Sequence, residues 1–427
     1  MVNDSNRTAR TDRSVNRRTF LKTTGVGVAG IGLAGCTGSD GGNGGSGGSN
    51  GGNGGDGGSD GGGGSGGGGG GDGGDGGGSN GESTGGGSNF PDEVTITYPP
   101  TGWWAVLGDI MENEDLIQKY KDEHGVDTTF NDERTWDDVP LFSSGQAQIA
   151  QFGSLEASRL GPNEDIPITV FGKVVPQAAE LVVAGGGDYD PDNTGSVEAS
   201  IDALAESGEP FGIDGWGSGS TLGVQITIEE NYDYTFQQED ADFNIVTADY
   251  FAMCQLVVEG ELAAGLSSPM LGGAPFYSTS PPEAVPLFHF GESLSELGFG
   301  QVPLENQVTR TEYFEENTEV CQVYHDAMRE AMKLFHEDPV GIVTQSDAMI
   351  EALGVANEQE ATFATEYEIL LENNTNDLEP PEMPSVYEEY ALDDEWIQTD
   401  RNALDRFVEI GQTNENWAEY ITYESMA

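Results

Sequence analysis

The chain has 427 residues, enough for two globular lobes. Its formal net charge is −59, from 16 basic and 75 acidic residues, so it cannot assemble the basic surface that nucleic-acid binding needs. Lysine is limited to Lys22, Lys119, Lys121, Lys173 and Lys333, yet beyond residue 90 the acids alternate with apolar and aromatic residues. That part is expected to fold, and such a composition fits work in concentrated salt, where ions screen self-repulsion and an acidic surface stays soluble.

The N-terminus reads Asn16-Arg17-Arg18-Thr19-Phe20-Leu21-Lys22, which resembles a twin-arginine export signal. A short apolar run over 25–34 follows, too short to span a bilayer. It ends in Leu33-Ala34-Gly35-Cys36, which resembles a lipobox with Cys36 as the lipidated residue. Residues 1–36 are therefore expected to export the folded protein and leave it anchored to the outer face of the cell membrane. Residues 37–91 read as a disordered tether. Positions 37–89 hold 32 of the 64 glycines and almost nothing to bury. Such a leash spans roughly 40 Å.

In the folded part, 93–98 alternates apolar and polar residues and predicts a first strand. A proline-rich loop carrying Trp103 and Trp104 follows, then a helix over 106–123 and a strand over 126–130. The segment LFSSGQAQIAQFGS (141–154) reads as helix end, glycine cap, buried strand and small-residue loop, and LVVEGELAAGLSSP (256–269) reads the same way. The repetition implies two similar α/β units, each placing a small-residue loop at the C-terminal end of a strand, where open α/β sheets bind ligands. Strands are expected at 168–171, 180–183, 211–213 and 302–308. Prolines 275, 281, 282 and 286 mark an irregular region. Helices are expected over 318–336, 344–353 and 393–417.

The stretch Asp214-Gly215-Trp216-Gly217-Ser218-Gly219-Ser220-Thr221 leaves the 211–213 strand and opens a helix. Its glycines allow close backbone approach, its free N–H groups attract an anion or a polar ligand edge, and Trp216 offers a flat wall. Catalytic signals are weak: no nucleophile elbow, zinc-protease motif, phosphate loop or CxxC occurs, and no cofactor or metal is expected. The four histidines lack metal-type spacing. Cys254 and Cys321 are either buried thiols or, in an exported protein, a disulfide. Carboxylates are so numerous that no pair stands out.

These residues are similar to the periplasmic-type substrate-binding proteins of ABC transporters, in the nitrate/sulfonate/taurine and thiamine-precursor group. The resemblance is carried by LFSSGQAQIAQFGS, GWGSGSTLG (215–223), LVVEGELAAGLSSP, and Tyr313-Phe314-Glu315-Glu316-Asn317 before the long helix. It implies an α/β, two-lobed Venus-flytrap fold with two crossover hinge segments. Lobe 1 would take 92–185 and 288–427, the latter including the C-terminal helices, and lobe 2 would take 186–287. It also implies a pocket drawn from Trp103, Trp104, Gly153, Ser154, Trp216, Gly217, Ser218, Gly219, Ser220, Thr221, Ser268 and Pro269. The implied partners are a small solute of sulfonate or heterocycle type and the permease and ATPase subunits of an importer, with the protein a monomer. A sensor for a signalling partner, or an enzyme of the pyrimidine-precursor type, are the alternatives; that branch's cysteine cluster is missing here. An oxyanion would need donors, and the basic candidates are Arg134, Arg159, Lys173 and Arg310.

Overall fold

The computed structural model describes residues 90–426, all within one compact unit, Ser83–Ala427. The export signal, Cys36 and the glycine-rich segment over 37–89 lie outside the described residues. The strands are β1 (Glu93–Tyr98), β2 (Thr129–Arg134), β3 (Ile149–Phe152), β4 (Ile168–Pro176), β5 (Glu180–Ala184), β6 (Pro210–Ile213), β7 (Asn244–Thr247), β8 (Gly265–Ser267), β9 (Ala284–His289), β10 (Pro303–Arg310) and β11 (Ile421–Tyr423).

The first lobe is built on a six-stranded sheet of order β11-β4-β10-β3-β1-β2. All neighbours run parallel except β10, which lies antiparallel between β3 and β4. Every residue of β4 is buried, as a strand covered on both faces requires. At the far edge β2 (TFNDER) shows its charges to water, which discourages pairing with another chain. In the second lobe β5 runs antiparallel to β8 and β9, and β6 runs parallel to β7. A parallel bridge from Phe211 to Ala264 joins the two pieces, giving the order β7-β6-β8-β5-β9.

The chain passes between lobes twice: from β4 to β5 through 177–179, and from β9 through the helix Phe290–Glu296 to β10. Because β5 pairs with β8 and β9, the boundary expected after 185 moves back to before Glu180. The strand β9 carries the second lobe on to His289, past the expected 287. That strand falls in the region read as irregular. Its Pro286 is tolerated because β9 is an edge strand and the ladder shifts register between Leu181 and Val182.

Other boundaries differ for local reasons. The expected helix over 106–123 is two helices, Trp103–Asn113 and Leu116–His124, separated by Asp115 in the left-handed region at φ 53°. Both indoles therefore stand in a first helical turn, not in a loop. The strand expected at 126–130 begins at Thr129, because Gly125 caps the helix and 126–128 make the link. The helix expected over 344–353 starts only at Asp347, where Ser346 caps it, and a separate short helix, Pro339–Thr344, precedes it. The C-terminal helix ends at Glu409.

The repeated segment is a repeated structure. Gly145 and Gly260 are both left-handed, at φ 77° and 75°. The Leu141 carbonyl accepts from the N–H groups of Gln146 and Ala147, and the Leu256 carbonyl accepts from those of Glu261 and Leu262. Each turn then feeds a buried strand, β3 or β8.

Apolar residues pack on both faces of the first sheet and in a separate second-lobe core. The helix Glu358–Glu368 serves both lobes: Ala361 and Ala364 face the first core, Phe363 and Tyr367 the second. Cys254 and Cys321 are buried free thiols. Packing around β4 leaves no room at Gly172, where a Cβ would run into the Tyr390 ring. Gly172→Ala should cost about 1–3 kcal/mol, read as a lower urea midpoint with unchanged slope.

Candidate ligand cleft

In each lobe one strand has neighbours whose connections leave in opposite directions: β1 between β2 and β3, β6 between β7 and β8. Loops diverge at such a switch point and leave a crevice at the C-terminal strand ends. The sequence-predicted residues all follow these strand ends: Trp103 and Trp104 after β1, Gly153 and Ser154 after β3, Trp216 to Thr221 after β6, Ser268 and Pro269 after β8.

Their side chains do not all converge. Trp103 is fully buried, tilts against Phe335 and donates Nε1–H to Glu368 Oε2 at 2.7 Å. Trp104 sets its ring edge-to-face with Trp136, which in turn meets Phe251 of the second lobe; its Nε1–H has no partner. Ser154 Oγ donates to Asp400 and accepts from Asn306 Nδ2, both at 2.7 Å, so it is engaged inside the first lobe. Trp216 leans on Phe236 at the second core. Gly217 is exposed. Ser220 Oγ accepts from the Tyr250 hydroxyl at 3.1 Å. Ser268 is buried beside buried Pro269.

The helix Gly219–Asn231 starts as the GSGST pattern predicts, with Ser218 Oγ accepting from the Thr221 N–H at 3.0 Å. Its hydroxyls are already taken. Ser218 Oγ and Thr221 Oγ1 both donate to Asp214 Oδ1, at 2.6 and 2.7 Å. A carboxylate of the chain itself thus stands at the positive helix end.

The lobes meet at this helix start. Gln177, on the first crossover, donates Nε2–H to the Gly219 carbonyl at 2.9 Å. A Cβ at Gly219 would lie 3.3 Å from Leu304 and 3.4 Å from Glu156 Oε1, both of the first lobe. Between them is a void of about 10 Å³ lined by Glu156, Gln177, Gly219, Leu222, Leu304 and Phe407, room for at most a water.

Carboxylates that sequence reasoning could not single out gather here. Burial raises the Asp138 carboxyl to about 7 and pushes Glu156, Asp214 and Glu305 upward. Glu156 is raised further by Asp214, and Glu305 by Asp138 and Glu156. Among the described residues no ion pair reaches any of these four. The four basic candidates are engaged elsewhere. Arg134 pairs with Asp109, Arg159 donates to Gln412, Lys173 pairs with Asp393 at 3.2 Å, and Arg310 donates to the carbonyls of Phe142 and Ser143.

A second buried pair sits beside the cleft. Glu368 accepts from Trp103 and from the Met270 N–H at 3.1 Å; Glu180 accepts from the hydroxyls of Tyr277 at 2.8 Å and Tyr367 at 3.0 Å. Burial raises Glu180 to about 8 and Glu368 to about 7, against hydrogen bonds that pull both down.

No family model and no curated protein matches the chain. Solved structures do. The alkanesulfonate-binding protein of Xanthomonas axonopodis pv. citri, bound to MOPS, is 13% identical with a TM-score of 0.55, covering 79% of this chain and 100% of that one. The periplasmic aliphatic sulphonate binding protein of Escherichia coli is 12% identical with a TM-score of 0.54, covering 79% and 94%. The periplasmic nitrate-binding protein of Synechocystis PCC 6803 is 12% identical with a TM-score of 0.54, covering 77% and 86%. The chain therefore has the two-lobed periplasmic-binding-protein fold expected from its sequence.

The raised carboxyls set a pH dependence. Unfolded glutamates ionise near about 4.3, whereas Glu180 and Glu368 hold their protons to about 8 and 7 when folded. Between those limits the folded protein binds more protons, so stability falls as pH rises. Glu180→Gln should flatten the decline of melting temperature from pH 5 to pH 8; an equal slope in the variant would refute this.

Proposed function

We propose that this protein is a solute-binding receptor on the outer face of the cell membrane. It captures a small organic solute between its lobes and delivers it to the permease and ATPase subunits of an ABC importer. In this reading it joins the nitrate/sulfonate/taurine and thiamine-precursor group, acts as a monomer and performs no chemistry on its ligand. Twin-arginine export brings it out folded, and a lipid on Cys36 holds it.

One observation carries the reading: the switch-point loops of both sheets face a single seam between lobes joined by two crossovers. Bending at such crossovers opens and shuts a cleft on a ligand. The neighbours with this fold are solute-binding proteins by name, and they span most of the described chain. Among the described residues no helix is long and apolar enough to cross a membrane.

The test is direct. The full-length protein, purified from a halophilic host in molar KCl and then denatured, should release about one small molecule per chain. Solution X-ray scattering should show the emptied protein contracting when that molecule is returned. Conversion of the molecule into a product, or a protein that neither holds nor responds to any solute, would contradict the receptor reading.

A further inference from the structure

Resting on the receptor reading above, we propose that the solute is an organic cation bearing N–H donors, a protonated amine or an amidinium, and not an oxyanion. The one lining side-chain atom that is buried without a partner is an acceptor. Gln177 is 3% exposed and lines it; its Nε2 is engaged by the Gly219 carbonyl, and its Oε1 has no donor. Glu305, next along β10 from the lining residues Pro303 and Leu304, has its Oε2 enclosed and without a donor. Glu156 lines the same void, and Asp138 and Asp214 lie within its electrostatic reach. A buried acceptor without a donor is costly, and a carboxylate withdrawn from water without a counter-charge more so. A ligand that supplies both N–H groups and positive charge removes both penalties.

Two alternatives fail on the same residues. An oxyanion would meet the Asp214 carboxylate at the helix start, where the hydroxyls are already donating, and would find the four basic candidates turned to other partners. A bare metal ion needs several converging ligands, and among the described residues no group of three His, Cys, Asp or Glu side chains is placed to hold one. Adaptation to salt does not account for these carboxylates either. Acids that keep a protein soluble are hydrated, and an enclosed, unpaired oxygen such as Glu305 Oε2 is not. Arg159 is the cation whose field reaches Glu156, yet it donates to the Gln412 carbonyl and side chain. The void is too small for such a solute as it stands, so entry requires the lobes to part about the crossovers.

The experiment uses the full-length protein, freed of endogenous ligand, with thermal shift and calorimetry in molar KCl. The probes are putrescine and agmatine as cations, methanesulfonate and nitrate as oxyanions, and cytosine as a neutral heterocycle. At least one cation should raise the melting temperature by several degrees. Glu156→Gln should bind it at least about tenfold more weakly, yet melt no lower than the parent without ligand, since a carboxylate crowded by other carboxylates and paired to no cation has been removed. Glu305→Gln provides the same readout if the first variant does not fold. Stabilisation by methanesulfonate, nitrate or cytosine alone, or cation binding unchanged in both variants, overturns the assignment and leaves the receptor reading intact. If all five probes are silent, the molecule released from host-purified protein decides: a cation upholds the proposal, an anion or neutral molecule overturns it alone, and no released molecule overturns the receptor reading with it.

Discussion

The arrangement of this protein depends on one helix and the carboxylate at its end. The helix Glu358–Glu368 is shared between two cores, with Ala361 and Ala364 in one and Phe363 and Tyr367 in the other. Glu368 then joins Trp103, in the first helix of lobe 1, to the Met270 backbone just after the second lobe's β8. A buried carboxylate accepting two such bonds fixes direction as well as distance. The loops that follow β1 and β8 are thereby held toward each other. Glu180, bound by the hydroxyls of Tyr277 and Tyr367, secures the other side of the same helix.

The acidity of the chain acts in two different ways. Over most of the surface, carboxylates are hydrated, and salt screens their repulsion. At the seam a few are drawn out of water with neither a lysine nor an arginine paired to them. Their raised affinity for protons is the thermodynamic expression of that missing counter-charge. The GSGST helix start illustrates the difference between motif and site. As a motif it suggests an anion cradle; in the fold, Asp214 has already taken the hydroxyls of Ser218 and Thr221.

How much of this was legible beforehand varies element by element. The first strand is bounded as its alternation predicts, and the 318–336 helix is extended by only one residue. The glycine turns at 145 and 260 emerge as the same hydrogen-bonded device used twice. The strand β9 was hidden because Pro286 reads as a breaker when edge position is unknown, and β11 because three residues carry no periodicity. Trp103, Trp104 and Ser154 were placed at the right strand ends, but their side chains turn into the first lobe or onto other aromatics. Glu156, Glu305 and Gln177 carried no signal among 75 acids and many amides.

By itself, the sequence determined the class of fold and the repeated α/β unit, and it put the tryptophans and small-residue loops at the C-terminal ends of β1, β3, β6 and β8. These follow from local periodicity, turn chemistry and composition, all of which act over a few residues. Tertiary structure decided which side chains are turned to the seam, which basic residues are engaged and which carboxylates lose their water. Those outcomes depend on contacts between residues up to 265 positions apart, as between Trp103 and Glu368. Burial belongs to the packed assembly, and no short stretch of chain encodes it.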